Sequence, residues 1–236
     1  MNPSIKKDPI SMDTELARFN MIEQQIRPWD VLDADVLALL AAVRREDFVP
    51  AAYRSMAFVD TEIPLHTAQG PAQSMLAPRV EARLLQELAV GKHERVLEVG
   101  AGSGFMAALL GHQAQQVLSL EIDAELAVFA ADNLRRAGSS NVTVRHADGS
   151  KGCPGEAPFD VIVLSGSVPQ VPASLFDQLK PGGRLVAVVG QLPIMRAVLY
   201  TRSAGSPTDG AVASVDLFDT VAPRLTGFDE PSRFHF

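Results

Sequence analysis

The run Val96-Leu97-Glu98-Val99-Gly100-Ala101-Gly102-Ser103-Gly104 constrains this chain more than any other segment. A short apolar stretch gives way to alternating glycines, and an apolar helical pattern starts at Phe105. The segment is therefore expected to be a buried strand, a tight turn and a helix N-terminus. Glycines let the backbone pass close to a ligand, and the first helical turn leaves N–H groups without intrahelical partners. A nucleotide-like ligand is implied, although such a turn by itself also serves as an ordinary strand-to-helix connection.

The surrounding sequence extends the pattern. Strands are predicted at Arg95–Val99, Gln116–Glu121, Val142–His146, Val161–Leu164 and Leu185–Val189, with helices such as Ala124–Ala137 and Val171–Leu179 between them. Short, nearly continuous apolar runs joined by helices are the signature of buried parallel strands. The expected fold is α/β, a doubly wound Rossmann-like sheet with helices on both faces. Past Gly190, Ala197–Arg202 and Ala211–Thr220 flank the turn-rich Ser203–Gly210, which predicts two antiparallel strands finishing the sheet.

The first 90 residues have a different texture. Leu16, Phe19, Met21, Ile22 and Ile26 recur at helical spacing up to Pro28. Asp33 can cap a second helix carrying Val36, Leu37, Leu39, Leu40 and Val43, and Pro78 suits the first turn of a third, running to about Leu88. From Phe48 to Pro78 the pattern breaks up into an irregular segment. Residues 1–90 are expected to form a helical region of the same domain as the α/β core at 91–236, because 236 residues of 47% apolar composition support one large core.

Charge and cysteine usage narrow the setting. Lys plus Arg is 21 against 28 for Asp plus Glu, a net charge of −7, which disfavours nucleic acid and anionic lipid as partners. The only cysteine, Cys153, can form neither an intramolecular disulfide nor a cysteine cluster for zinc. No signal-peptide pattern and no run of ~18 apolar residues is present, so a cytoplasmic protein is expected. His66, His93, His112, His146 and His235 are scattered without ligand spacing, and no metal site is predicted. Arg44-Arg45 is read as a solvated helix end, and Trp29 as a packing residue.

Two further strand ends sharpen the ligand. Glu121 ends the second strand, where a carboxylate can accept hydrogen bonds from ribose hydroxyls, and Asp148 follows the third, within reach of an adenine amine. Either alone is as readily a solvated strand-end carboxylate. The dinucleotide pattern G-x-G-x-x-G is not met, since Phe105 stands where its last glycine belongs. Glu98, just before the turn, suits an ammonium better than a pyrophosphate. S-adenosylmethionine, which has an amine and a sulfonium in place of phosphates, fits both facts.

From about Met21 to Gly190 the chain resembles the protein-L-isoaspartate O-methyltransferases, a branch of the class I S-adenosylmethionine-dependent methyltransferases. Val43-Arg44-Arg45-Glu46-Asp47-Phe48-Val49-Pro50, Ile63-Pro64-Leu65, Val144-Arg145-His146-Ala147-Asp148-Gly149, Ala157-Pro158-Phe159-Asp160-Val161-Ile162-Val163 and Leu179-Lys180-Pro181-Gly182-Gly183-Arg184-Leu185-Val186 follow the family's segments in order. The resemblance implies a methyltransferase acting on isoaspartyl carboxylates of damaged protein or peptide. It further implies that Gly100, Ala101 and Gly102 line the methionine half of the cofactor, Glu121 holds the ribose, and Asp148 with Gly149 frames the adenine. Ser165 lies where such enzymes face cofactor and substrate; a bond to local backbone is the equal alternative.

One departure stands out. The family's acceptor loop runs approximately G-Q-T-I-S-x-P, whereas this chain has Gln73-Ser74-Met75-Leu76-Ala77-Pro78, which puts Ser74 at the threonine and Leu76 at the serine. The preceding stretch, His66 to Ala72, is longer than the family's. Ser74 is thus the expected catalytic-loop hydroxyl. His66 is the histidine best placed to contact substrate, or to act as base for a hydroxyl or amine acceptor, with a structural loop contact as its plainer role. A different acceptor (small molecule, peptide or RNA) and a non-catalytic cofactor-binding relative are the alternatives that Leu76 raises. Oligomeric state is not legible in the sequence.

Overall fold

The computed structural model describes residues 9–65, 73–205 and 211–228. Helix α1 (Pro9–Met21) runs on through a π-turn at Ile22–Ile26 and a 3₁₀ turn at Arg27–Trp29. Pro28 removes a backbone donor there, and Asp30 closes the segment in the left-handed conformation, φ +59°. Helix α2 (Ala34–Ala42) starts under the Asp33 carboxylate, which accepts hydrogen bonds from Asp35 N at 2.8 Å and Val36 N at 3.1 Å. Helix α3 (Pro78–Leu88) begins on proline and buries Val80, Leu84, Leu85 and Leu88.

Between α2 and α3 the structure holds more order than the sequence predicts. Strands β1 (Ile63–Leu65) and β2 (Gln73–Met75) pair antiparallel, with Ile63 opposite Met75. Three-residue strands are too short to show a period, and Pro64 at the middle of β1 argues locally against a strand. The buried Ile63 and Leu65 on either side of it anchor the ladder to the core. His66 falls in the connection outside the described residues.

The remainder is one seven-stranded sheet. Its strands are β3 (Arg95–Val99), β4 (Gln116–Glu121), β5 (Val142–His146), β6 (Phe159–Val168), β7 (Leu179–Gln191), β8 (Ile194–Arg202) and β9 (Val212–Thr220). They lie in the order β5-β4-β3-β6-β7-β8-β9. Pairs from β5 to β7 are parallel, whereas β7, β8 and β9 form antiparallel hairpins. Helix α4 (Phe105–Gln113) follows β3, α5 (Ala124–Ala137) follows β4, and α6 (Ala173–Phe176) follows β6. The predicted helix at Val171–Leu179 is cut to the four residues of α6, because Leu179 already pairs with Phe159 at the start of β7.

Alternation along the strands separates two apolar layers. Leu118, Leu97, Ile162 and Leu185 sit side by side across the sheet and point to one face. Val117, Val96 and Val161, one residue earlier, point to the other, into a layer shared with α2, α3, α4 and α5. The first face is covered by shorter pieces: α6, a 3₁₀ turn at Pro154–Glu156, and Leu225 and Phe228 near the chain end. Glycine and proline in Gly149–Gly155 preclude a long helix between β5 and β6. Among the described residues no helix is long and apolar enough to cross a membrane.

Candidate active-site cleft

The strand order reverses between β3 and β6, so the chain leaves the sheet in opposite directions from neighbouring strands and opens a crevice beyond their carboxyl ends. A cleft lies there, lined by the glycine turn, the ends of β3 and β4, and β2, at the place where open α/β sheets bind their ligands. One wall is the glycine turn. Gly100 has φ +92°, and a Cβ built on it would lie 2.7 Å from Leu225 Cδ2, so no other residue fits without displacing that side chain. A Cβ on Gly149, at the end of the β5 connection, would lie 2.5 Å from Val99 Cγ1. Both positions keep the cleft floor bare of side chains.

Three strand ends bring their polar groups to this floor. Glu98, on β3, is fully buried and accepts hydrogen bonds from Ser119 Oγ at 2.5 Å and Ser165 Oγ at 2.7 Å. Burial pushes its carboxyl up to about 7 against the pull of those two hydroxyls, and the Glu121 and Glu81 charges add to the rise. Glu121 accepts from Gly102 N at 2.8 Å and Asp123 N at 3.0 Å, which aims its carboxylate across the glycine turn. Ser165 bonds to the Glu98 side chain and not to local backbone.

Of the residues singled out from sequence, Ser74, Glu98, Gly100, Ala101, Gly102, Glu121, Gly149 and Ser165 line one cleft. Asp148 stands beside it, exposed, its carboxylate accepting from Ser150 N at 2.9 Å. The opposite wall is the β2 segment and its continuation, where Gln73, Ser74, Met75 and Leu76 line the same cleft as the glycine turn. Ser74 has no hydrogen bond to its hydroxyl among the described residues, while Leu76 is buried.

Behind this wall lies a group the sequence hid. Arg45 is not a solvated helix end: it is 1% exposed, ion-paired through Nη1 to Glu81 Oε2 at 2.5 Å, and donates from Nη2 to Leu76 O at 3.0 Å. Its guanidinium also lies 5.0 Å from the centroid of Phe105, the first residue of α4. A charged side chain 36 positions from its partner leaves no periodic signal in the sequence. Burial pushes Glu81 up to about 7 while the Arg45 charge pulls it down. Glu81 did leave a trace, as an acidic residue on the apolar face of α3, spaced with Leu84, Leu85 and Leu88. Trp29 is away from the cleft, 40% exposed, with the Arg79 guanidinium 4.1 Å from its ring centroid.

These walls suit a ligand that carries hydroxyls, a flat ring and a positive charge. Glu121 offers acceptors, the bare backbone at Gly100 and Gly149 admits close approach, and the buried Glu98 carboxylate has no cation partner among the described residues. Among the described residues no group of three His, Cys, Asp or Glu side chains is arranged to hold a metal ion.

Comparison with known proteins agrees with that chemistry. The family model described as protein-L-isoaspartate(D-aspartate) O-methyltransferase matches residues 17–216. A protein-L-isoaspartate O-methyltransferase of Koribacter versatilis is 40% identical over 190 residues, 80% of this chain and 84% of the relative. One from Anaeromyxobacter is 38% identical over 202 residues, 85% and 82% of the two chains. Among solved structures, a protein-L-isoaspartate O-methyltransferase superimposes with a TM-score of 0.77 at 24% identity, covering 89% of this chain and 66% of that one. A second, described as a putative protein-L-isoaspartate O-methyltransferase from Plasmodium falciparum in complex with S-adenosyl-L-homocysteine, gives a TM-score of 0.68 at 23% identity over 89% and 98%.

Proposed function

The chain belongs to the protein-L-isoaspartate(D-aspartate) O-methyltransferase family, and from that premise we propose that its cleft methylates isoaspartyl carboxylates in damaged proteins with S-adenosylmethionine. The observation that carries the reading is the facing of two walls. The glycine turn with Glu98 and Glu121 stands on one side and Ser74 on the other, across a single cleft.

Each residue has a role the geometry supports. Gly100, Ala101, Gly102 and the Glu98 carboxylate take the methionine half of the cofactor; Glu121 takes the ribose; Gly149 and the neighbouring Asp148 take the adenine. When bound, the cofactor supplies a methyl group already activated by the positive sulfonium. The chain then has little covalent work to do. A carboxylate is nucleophilic as it stands, so no general base is required, and catalysis consists of aligning the acceptor and excluding water. Ser74 donates its free hydroxyl to the acceptor carboxylate, with backbone N–H groups of the same segment taking the place of the hydroxyl that Leu76 lacks. Ser165 holds the Glu98 carboxylate from the acceptor side. His66, which follows Leu65 in the sequence and lies outside the described residues, keeps its proposed role as a substrate contact.

Residues 1–90 and 91–236 are parts of one domain in this reading, since helices of the first share an apolar layer with the sheet of the second. A cytoplasmic setting belongs to the same proposal, supported by a single cysteine, Cys153, that forms no disulfide among the described residues.

The direct test is transfer of labelled methyl from S-adenosylmethionine to an isoaspartyl peptide and to its normal aspartyl twin, with cofactor binding measured on the same preparation. Selective labelling of the isoaspartyl peptide is expected. Tight cofactor binding with neither peptide labelled would move the chain to another acceptor, the alternative that Leu76 raises. Ser74→Ala is expected to lower kcat/KM for the isoaspartyl peptide about tenfold, the value of one hydrogen bond to a charged group. Cofactor affinity should stay within twofold of the parent's, roughly the spread of distant surface changes; a joint loss of both would mean that Ser74 only supports the fold.

A further inference from the structure

A second, more open groove lies next to the acceptor wall. The two are continuous through the chain itself, because Leu76 lines the cleft and Ala77 lines the groove. Glu62 also lines the groove, immediately before β1, whose Ile63 stands opposite Met75. Glu62 thus sits at the end of the small β1–β2 ladder, beside the point where the acceptor segment passes from one cavity to the other.

The charges of this groove cancel except at one place. Arg79 is paired with Asp60, Nη1 to Oδ2 at 2.6 Å, and Asp219 is paired with Arg196, Oδ1 to Nε at 2.8 Å. Glu62 has no hydrogen bond or ion pair among the described residues. It is half-buried, and burial alone, with no cation opposing it, raises its pKa. The same groove, part polar and part apolar, carries two aliphatic side chains open to solvent, Ile194 at 70% and Val221 at 49% exposed. An unpaired, partly desolvated carboxylate beside exposed aliphatic side chains matches one kind of partner: an alkyl stem that ends in a cation.

We propose that this groove docks the substrate polypeptide next to its isoaspartyl residue, and that Glu62 selects sequences carrying lysine or arginine there. The proposal rests on the repair reading of the cleft. The stem of the basic side chain lies against Ile194 and Val221, and its charged end meets Glu62. An extended chain advances about 3.3 Å per residue, so a residue one or two positions from the acceptor carboxylate is the one that reaches past Ala77.

The experiment uses the full chain and isoaspartyl peptides that are identical except for lysine, glutamine or glutamate placed one or two residues to either side of the isoaspartyl. What is read is the ratio of kcat/KM between the lysine and glutamate versions. Any loss of active protein cancels from that ratio. For the parent protein it should be about fivefold at one of the positions, the size of a single part-exposed ion pair, and should shrink as salt is raised. Glu62→Gln should bring the ratio close to one, and Glu62→Lys should invert it. A ratio near one in the parent protein, or one that Glu62→Gln leaves intact, overturns the docking proposal while the repair reading stands. If the parent labels no isoaspartyl peptide at all, the repair reading falls and takes this proposal with it.

Discussion

Arg45→Met is expected to cost the folded protein about 3–5 kcal/mol at pH 8, the penalty of breaking a buried ion pair from one side. The guanidinium is almost wholly enclosed, and its removal strands the Glu81 carboxylate and the Leu76 carbonyl in the same dry space. Equilibrium denaturation in urea measures the loss directly. Its pH dependence follows from Glu81, which burial already raises from 4.5 to about 7. Without Arg45 the folded-state value rises further. A raised carboxyl is protonated in both states below about 4.5, so the variant should come closest to the parent there and fall further behind as pH increases. Arg45→Met combined with Glu81→Leu should recover most of the stability, since an apolar replacement of a buried pair is often neutral or better. Recovery of stability without recovery of kcat/KM would assign Arg45 the placement of the acceptor segment through Leu76. A single-variant loss below about 1 kcal/mol, in the range of an exposed pair, would show that the ion pair is solvated in solution.

Arg45 also marks the limit of what the sequence made legible. The strands Arg95–Val99, Gln116–Glu121 and Val142–His146 and the helix Ala124–Ala137 have the predicted bounds, because each is punctuated locally. Asp123 caps that helix by accepting from Glu125 N and Leu126 N, and Gly138 ends it at φ +75°. Buried parallel strands are apolar on both faces, so their runs stand out without reference to any neighbour. The side of the cleft proposed for the cofactor was legible for the same reason, because Glu98, Gly100, Gly102 and Glu121 sit at strand ends or in the turn and line one cleft.

The side proposed for the acceptor was not legible in this way. Its wall depends on β1 pairing with β2 and on Arg45 reaching Leu76, contacts between segments with no shared period. Arg44 and Arg45 are adjacent in sequence and opposite in environment. Arg44 lies at the surface beside Glu46 and Asp47, while Arg45 turns inward beneath Phe105. Glu81, Leu76 O and Phe105, all brought up by tertiary structure, receive one of them and not the other.

Glu98 sets stability against ligand binding, and Glu98→Gln should move the two in opposite directions. The carboxyl is fully buried, with two serine hydroxyls for company and no cation, and it is raised from 4.5 to about 7. Below about 4.5 the group is protonated in folded and unfolded chains alike and costs nothing. Between about 4.5 and 7 the unfolded chain ionises while the folded one stays protonated, so stability falls with rising pH, and above 7 the full penalty remains. Glutamine has the same shape without the charge. The variant should therefore match the parent near pH 4.5 and exceed it by roughly 3 kcal/mol at pH 8, since each tenfold change in acidity is worth about 1.36 kcal/mol. Ligand binding has the reverse demand, since a cationic cofactor needs the ionised carboxylate. S-adenosylmethionine affinity at pH 8 is expected to drop about 10- to 100-fold in Glu98→Gln, the value of a charged hydrogen bond. In the parent protein that affinity should weaken as pH falls below about 7, with a proton released on binding. Calorimetry in two buffers of different ionisation enthalpy detects that proton, and the variant should show none. An unstable variant with unchanged cofactor affinity would mean that Glu98 is ionised and internally paired already, so that the cleft holds the positive end of the cofactor elsewhere.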